Sequence, residues 1–296
     1  MTSRLGLRNR RDLQSLAYMA VQPMLMGWQW MHGFDPALYA LSLFLAVGIS
    51  VIHHNHAHLP MWHGRVANDA TDLLATLLQG HPTCVFRPTH NANHHRYRHG
   101  ERDVMRTWRF GDHNHLFGWA LHPLQAAWTV YPLAWRWMRR LACRRPRAFA
   151  ACVLQYTLWL AVWSWLLWLD AGKALAFVIV PQLFGLHWLL AANYLQHAHA
   201  DDRDRWGYAR NFEGWINPLL FNIGLHTAHH EHGRAHWSEL ADLHRRYRDR
   251  IPAALLERGF LAYTVRVFLL APFVRSLRSR SLRDATPSLP PTASGY

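Results

Sequence analysis

The sequence predicts an all-α integral membrane protein: two transmembrane helical hairpins, four spans in all, beneath a cytoplasmic helical cap. Three observations predict it. Residues 13–34, 36–64, 148–169 and 174–200 carry no Asp, Glu, Lys or Arg, and each covers the roughly 20 residues a spanning helix needs. The 32 Lys and Arg, against 18 Asp and Glu, give a net charge of +14 and lie between and outside these runs, as basic loop residues do in membrane proteins. The chain is 51% hydrophobic with 16 Trp, a residue that collects at membrane–water interfaces. A basic, Trp-rich chain also suits nucleic acid, but no basic helix with a base-reading pattern is present, so that class is set aside.

Residues 1–12 read as a basic head. Arg4, Arg8, Arg10 and Arg11 before an apolar run imitate a signal peptide. The run is longer than a signal core and no small-residue cleavage pattern follows, which predicts a retained span. Residues 13–274 form one membrane domain, with spans at about 13–32, 37–58, 148–169 and 174–197. Pro23 falls inside the first span, where a kink is expected. The stretch from His32 to Pro36 is a tight turn. The second span continues past its apolar part through His53–His58. Residues 113–135 are uncharged, with Trp119, Trp128, Pro123, Pro132 and three histidines, and read as a segment at headgroup level. The run Arg136 to Arg147 reads as solvated and touching lipid phosphates. Residues 236–258 read as polar helix, and 260–274 as interfacial because Arg266 interrupts them. Residues 275–296 are Arg- and Ser-rich, then Pro-rich, and are expected to be a disordered tail. Cys84, Cys143 and Cys152 have no metal or redox spacing, which suits a reducing compartment without a disulfide framework.

The turns at 32–36 and 170–173 hold one basic residue, Lys173, whereas the head, the middle region and the tail hold nearly all the rest. The positive-inside rule then puts both termini and the large loops in the cytoplasm.

The 23 histidines fall partly into four clusters at the cytoplasmic ends of spans or just beyond. These are His54-x3-His58, His90-x3-His94-His95, His197 with Asn193 one turn earlier, and His226-x2-His229-His230. Spacings of three and four residues put side chains on one helix face. A tetrahedral metal site takes four such ligands, so nine imidazoles suit two ions with four or five ligands each. Imidazole serves Zn, Cu, Fe and Ni alike, and ligand type alone does not choose among them. The Glu-x-x-His pairs of carboxylate-bridged bundles are absent. His53, His56, His63, His81, His99, His113, His115, His122, His199, His232, His236 and His244 read as ordinary polar residues near the membrane surface.

These four boxes, with two hydrophobic hairpins between them in the same order, resemble the membrane fatty-acid desaturase and hydroxylase superfamily over roughly residues 13–245. The second box has three residues between its first histidine and the pair, where many desaturases have two. The resemblance implies two iron ions held by His54, His58, His90, His94, His95, His197, His226, His229 and His230, with Asn193 reaching the metal through a water. It implies activation of O2 and oxidation of an unactivated C–H bond in a long-chain acyl lipid. The reading is a desaturase that introduces a C=C bond; the alternative is a lipid or carotenoid hydroxylase or ketolase using the same centre. The chain has no His-Pro-Gly-Gly haem motif and no G-x-G-x-x-G loop, so a separate electron donor is expected: a ferredoxin, a rubredoxin or a b-type cytochrome with its reductase.

Nine neutral ligands leave the charge of two cations uncompensated, so carboxylates are expected on the outer nitrogens of the rings. Asp69, Asp72, Glu101, Asp103, Asp201, Asp202, Glu213 and Glu231 are the candidates. From another class, a histidine-rich metal transporter would place its ligands near the middle of spans. Here the boxes sit at span ends, and only His187 lies within one.

Overall fold

The computed structural model describes residues 6–285. Among these residues, ten helices carry the fold. They are α1 (Leu13–His32), α2 (Pro36–His58), α3 (Arg65–Gln79), α4 (Arg87–His94, π-helical, extended by one turn at His95–Tyr97), α5 (Leu116–Arg144), α6 (Pro146–Leu169), α7 (Ala171–His197), α8 (His226–Glu231), α9 (Leu240–Tyr247) and α10 (Phe260–Leu270). Two short parallel strands, β1 (Asn211–Phe212) and β2 (Leu256–Glu257), pair above them.

Each long helix begins and ends for a local reason. Gly33 at φ 92° closes α1, a conformation glycine adopts without penalty. Asp35 then caps α2, accepting from the N–H groups of Ala37 and Leu38 at 2.9 Å. Pro36 occupies the first turn of α2, where its missing N–H costs nothing. Asp170 starts α7 the same way, accepting from the Lys173 N–H at 3.0 Å. Within α7, residues Leu175–Ile179 form a π-helical turn just before Pro181. Such a turn takes up the hydrogen bond that a proline cannot make.

Among the described residues, three helices are long and apolar enough to cross a membrane: α2, α6 and α7. The expected first span does form a helix, α1, but it is not one of these. Gln14, Gln22 and Gln29 lower its hydropathy, and Gln22 and Gln29 are buried. Gln22 donates from Nε2 to the Ser42 hydroxyl of α2 at 3.3 Å. Gln22 is thus spent on a helix neighbour, while Gln29 donates back to the Leu25 carbonyl of its own helix at 3.4 Å. Residues 116–135 of the expected headgroup segment belong to one continuous 29-residue helix, α5, which runs on through the basic cluster to Arg144 despite Pro123 and Pro132. Trp128 and Trp135 project from it exposed.

Helix α2 packs mainly on α7 and α1, and α5 on α7 and α6. At the α2–α7 crossing, a side chain on Gly185 would meet the Ala46 carbonyl oxygen at 2.4 Å. Buried amides reinforce the bundle. Gln182 of α7 donates to the Leu77 carbonyl at 2.8 Å and accepts from the Trp163 indole at 2.8 Å, joining α3, α6 and α7. Within the expected tail, the Leu282 N–H donates to the His199 carbonyl at 3.0 Å, and the Ser279 N–H to the Asn114 side chain at 2.7 Å. The rest of the expected tail, 286–296, and residues 1–5 of the head lie outside the described residues.

The Gly185 contact gives a test. Gly185→Val places methyl groups against a helix backbone that cannot yield, and overpacking of this kind costs about 1–3 kcal/mol. Thermal unfolding in detergent should show that loss, whereas Gly27→Ala, with nothing within 4 Å of the added carbon, should unfold at the parent temperature or above.

Candidate metal centre

The structure brings all nine boxed histidines together, in two groups. His54, His58, His90, His95 and His229 form one, and His94, His197, His226 and His230 the other. Within each group one nitrogen from each ring lies within 4.8 Å of those of the others. The groups adjoin: the His95 and His230 rings stack with centroids 4.2 Å apart. The flanking His53 and His56 belong to neither group, which sets the register of the first box at His54 and His58.

The boxes do not each serve one group. Because α4 is π-helical, residues five apart come round to one side. His90 and His95 therefore point into the first group, and His94 into the second. On α8 the ordinary spacing of four puts His226 and His230 together, and His229 faces the first group. Reading each box as a single face missed this division.

The rings meet through Nε2. His54 and His90 approach at 2.8 Å, His95 and His229 at 3.0 Å, His197 and His226 at 3.0 Å, and His226 and His230 at 3.1 Å. His94 and His197 are held from outside through Nδ1, whereas the Nδ1 atoms of His226 and His230 are buried with no protein partner. His94 donates from Nδ1 to Asp103 Oδ2 at 2.7 Å, and His197 donates from Nδ1 to the Tyr208 carbonyl at 2.9 Å. A carbonyl or carboxylate only accepts, so both rings carry their proton on Nδ1 and present an Nε2 lone pair inward. The Nε2 atoms of His58 and His94 are buried with no protein partner. Burial first, and neighbouring imidazoles second, hold His90, His95, His226, His229 and His230 well below the ordinary imidazole value of 6.5. Neutral rings with converging lone pairs fit a pair of soft-to-borderline cations.

Of the eight acids proposed as supports, Asp103 is the one placed on a boxed histidine. It is fully buried with His94 and also accepts from the N–H groups of His99 and Met105, each at 2.8 Å. Burial raises the Asp103 carboxyl, but His94 and the Met105 N–H outweigh it, and the group ends below its ordinary value. Asp69, Asp72, Asp201, Asp202, Glu213 and Glu231 pair with basic side chains instead, and Glu101 is exposed. The Tyr208 carbonyl was not legible as a support, because a backbone acceptor has no residue signature. Of the unboxed histidines, His53, His56, His81, His99, His122, His199, His236 and His244 lie buried in the protein, and His99 stacks on His197 at 4.9 Å.

Asn193, buried on α7 one turn before His197, has an Nδ2 with no protein partner. With His54, His90 and His226 it lines a cavity of about 570 Å3 whose other walls are mostly apolar, including Val51, Phe86 and Ile223. That volume falls in the range of small-molecule sites.

Long apolar helices beneath a buried, all-imidazole cluster define a membrane protein equipped to bind metal. The chain belongs to the fatty acid desaturase family, whose pattern matches residues 28–262. Members of this family are oxidoreductases and typically depend on metal. No curated protein and no solved structure matches the chain.

Two outcomes follow. Asp103→Asn keeps the shape but weakens the anchor on His94, and loss of such an outer partner typically lowers metal affinity 10–100-fold; metal content after dialysis against a weak chelator reads this. In metal-free protein the folded rings titrate below 6.5. Just below that value the unfolded chain therefore binds more protons, and stability falls as pH falls. The unfolding temperature of the chelated protein should drop on going from about pH 7.5 to about pH 5.5.

Proposed function

We propose that this chain is an O2-dependent membrane oxidase that holds two iron ions through the nine boxed histidines and desaturates a long acyl lipid. The observation that carries the reading is the division of the nine rings into groups of five and four around adjoining centres. Bound there, the irons would supply the O2 activation needed to take hydrogen from an unactivated C–H bond.

The protein's own residues do the rest. The apolar cavity admits a hydrocarbon chain, and its wall of Val51, Phe86 and Ile223 excludes water. His54, His90 and His226 face into it, so a chain seated there lies against both groups. Asn193, with its unpartnered amide on the same wall, is placed to hold a water beside the second group. Removing two hydrogens from neighbouring carbons while O2 becomes two waters consumes two electrons and two protons. The electrons come from a separate ferredoxin, rubredoxin or b-type cytochrome with its reductase. The net charge of +14 favours an acidic donor. In this reading α1 completes four spans, and the basic loops and both termini face the cytoplasm.

Expression beside His229→Ala in a host supplied with donor systems tests the proposal. The parent should copurify with iron and yield lipids lacking two hydrogens; the variant should lose both. Products gaining one oxygen would instead identify a hydroxylase or ketolase. Zinc alone in the parent, or identical lipid profiles across several donors and substrates, would overturn the assignment.

A further inference from the structure

A second concentration of chemistry lies away from the histidines. Between α3, the start of α4 and the corner joining α5 to α6 is a cavity of about 630 Å3. Six arginines line it: Arg65, Arg87, Arg140, Arg144, Arg145 and Arg147. Among the described residues, the only acids in its lining are Asp69 and Asp72. Each is already engaged, by Arg65 at 3.5 Å and Arg87 at 3.2 Å respectively. The guanidinium groups of Arg140, Arg144, Arg145 and Arg147 have no carboxylate to share within the cavity. Like charges gathered in a concave site raise the local concentration of anions, and the planar fork of arginine matches phosphate oxygens.

The remaining wall says which anion. Ala148, Ala151 and Leu154 carry the cavity onto α6. Further along that helix Leu160 and Trp165 are exposed, and only 11% of its most apolar stretch is buried inside the protein. A soluble phosphate would use the arginines and ignore this wall. An acidic protein surface would meet the exposed rim but not fill a recess beside a spanning helix. An amphiphile with a phosphate head and an acyl tail uses both.

We propose that this cavity binds the phosphate head group of an anionic phospholipid, with an acyl chain lying along the exposed face of α6. Arg87 opens α4, the helix that carries His90, His94 and His95, so the lipid sits against the helix that also bears the histidines. The site needs no metal, and its test reads lipid retention independently of turnover.

The full-length protein is reconstituted into bilayers of phosphatidylcholine and phosphatidylglycerol, released, and weighed by native mass spectrometry for retained lipid. The parent should retain phosphatidylglycerol preferentially. R140Q/R144Q/R147Q should lower that preference by about fivefold for each arginine replaced. R245Q/R246Q/R250Q, which removes the same charge from exposed positions elsewhere, should leave it unchanged. If the first variant does not fold, the single variants R140Q and R144Q decide: each should lower the preference about fivefold. No preference in the parent, equal loss in the remote variant, or full preference in the glutamine variants overturns the proposal. Displacement of the lipid by excess inorganic phosphate alone would make it a free-phosphate site. Unchanged lipid retention with loss of donor-driven turnover would make it a docking face for an acidic protein. Either result also overturns the proposal.

Discussion

Nine imidazoles meet in a buried space with their Nε2 atoms turned toward one another, and the rest of the molecule is arranged around that constraint. Two ring nitrogens about 3 Å apart, such as those of His197 and His226, are tolerable only if one carries a proton or a cation lies between them. The Tyr208 carbonyl already accepts a hydrogen bond from the His197 Nδ1–H on the far side, and Asp103 accepts one from that of His94. Burial keeps the outlying rings neutral, because a charged imidazolium loses its hydration there. The inward side is thus left rich in lone pairs, an environment that suits metal and little else.

Delivering these rings takes elements of very different kinds. Helices α2 and α7 are long, and they approach closely enough at Gly185 and Ala46 that His54, His58 and His197 emerge at one level. The short helix α8 has no comparable length to hold it. It is fastened by Asn211, which accepts from the Thr227 N–H at 2.9 Å and donates to the Thr227 hydroxyl at 2.8 Å. Asn217 spans the same loop, binding the Phe212 carbonyl and the Gly224 N–H. Side-chain amides do here what helix packing does below.

The two cavities express opposite solvation problems. One is mostly apolar and ends on His54, His90 and His226, where a hydrocarbon chain can replace water along the apolar wall while the unpartnered Asn193 amide still needs a polar partner. The other is crowded with guanidinium groups that water or an anion must satisfy. The start of α4 borders both, with His90 and the preceding residue Phe86 toward the first and Arg87 toward the second. A single turn of chain therefore separates the lipid-like environment from the strongly charged one.

The sequence alone determined the helical class, the placement of charge outside the apolar runs, and which nine histidines gather, because hydrophobic periodicity and box spacing are local properties. It also supplied Asp103, though only as one of eight acids. It did not determine how the nine divide: the π-helical form of α4 depends on packing, and it puts His94 in a different group from its neighbour His95. The burial of His53, His99 and His122, the inward turn of Gln22 and Gln29 on α1, and the backbone carbonyl behind His197 were equally hidden. Each depends on which surfaces from distant parts of the chain meet, and a spacing rule carries no information about partners more than a few residues away.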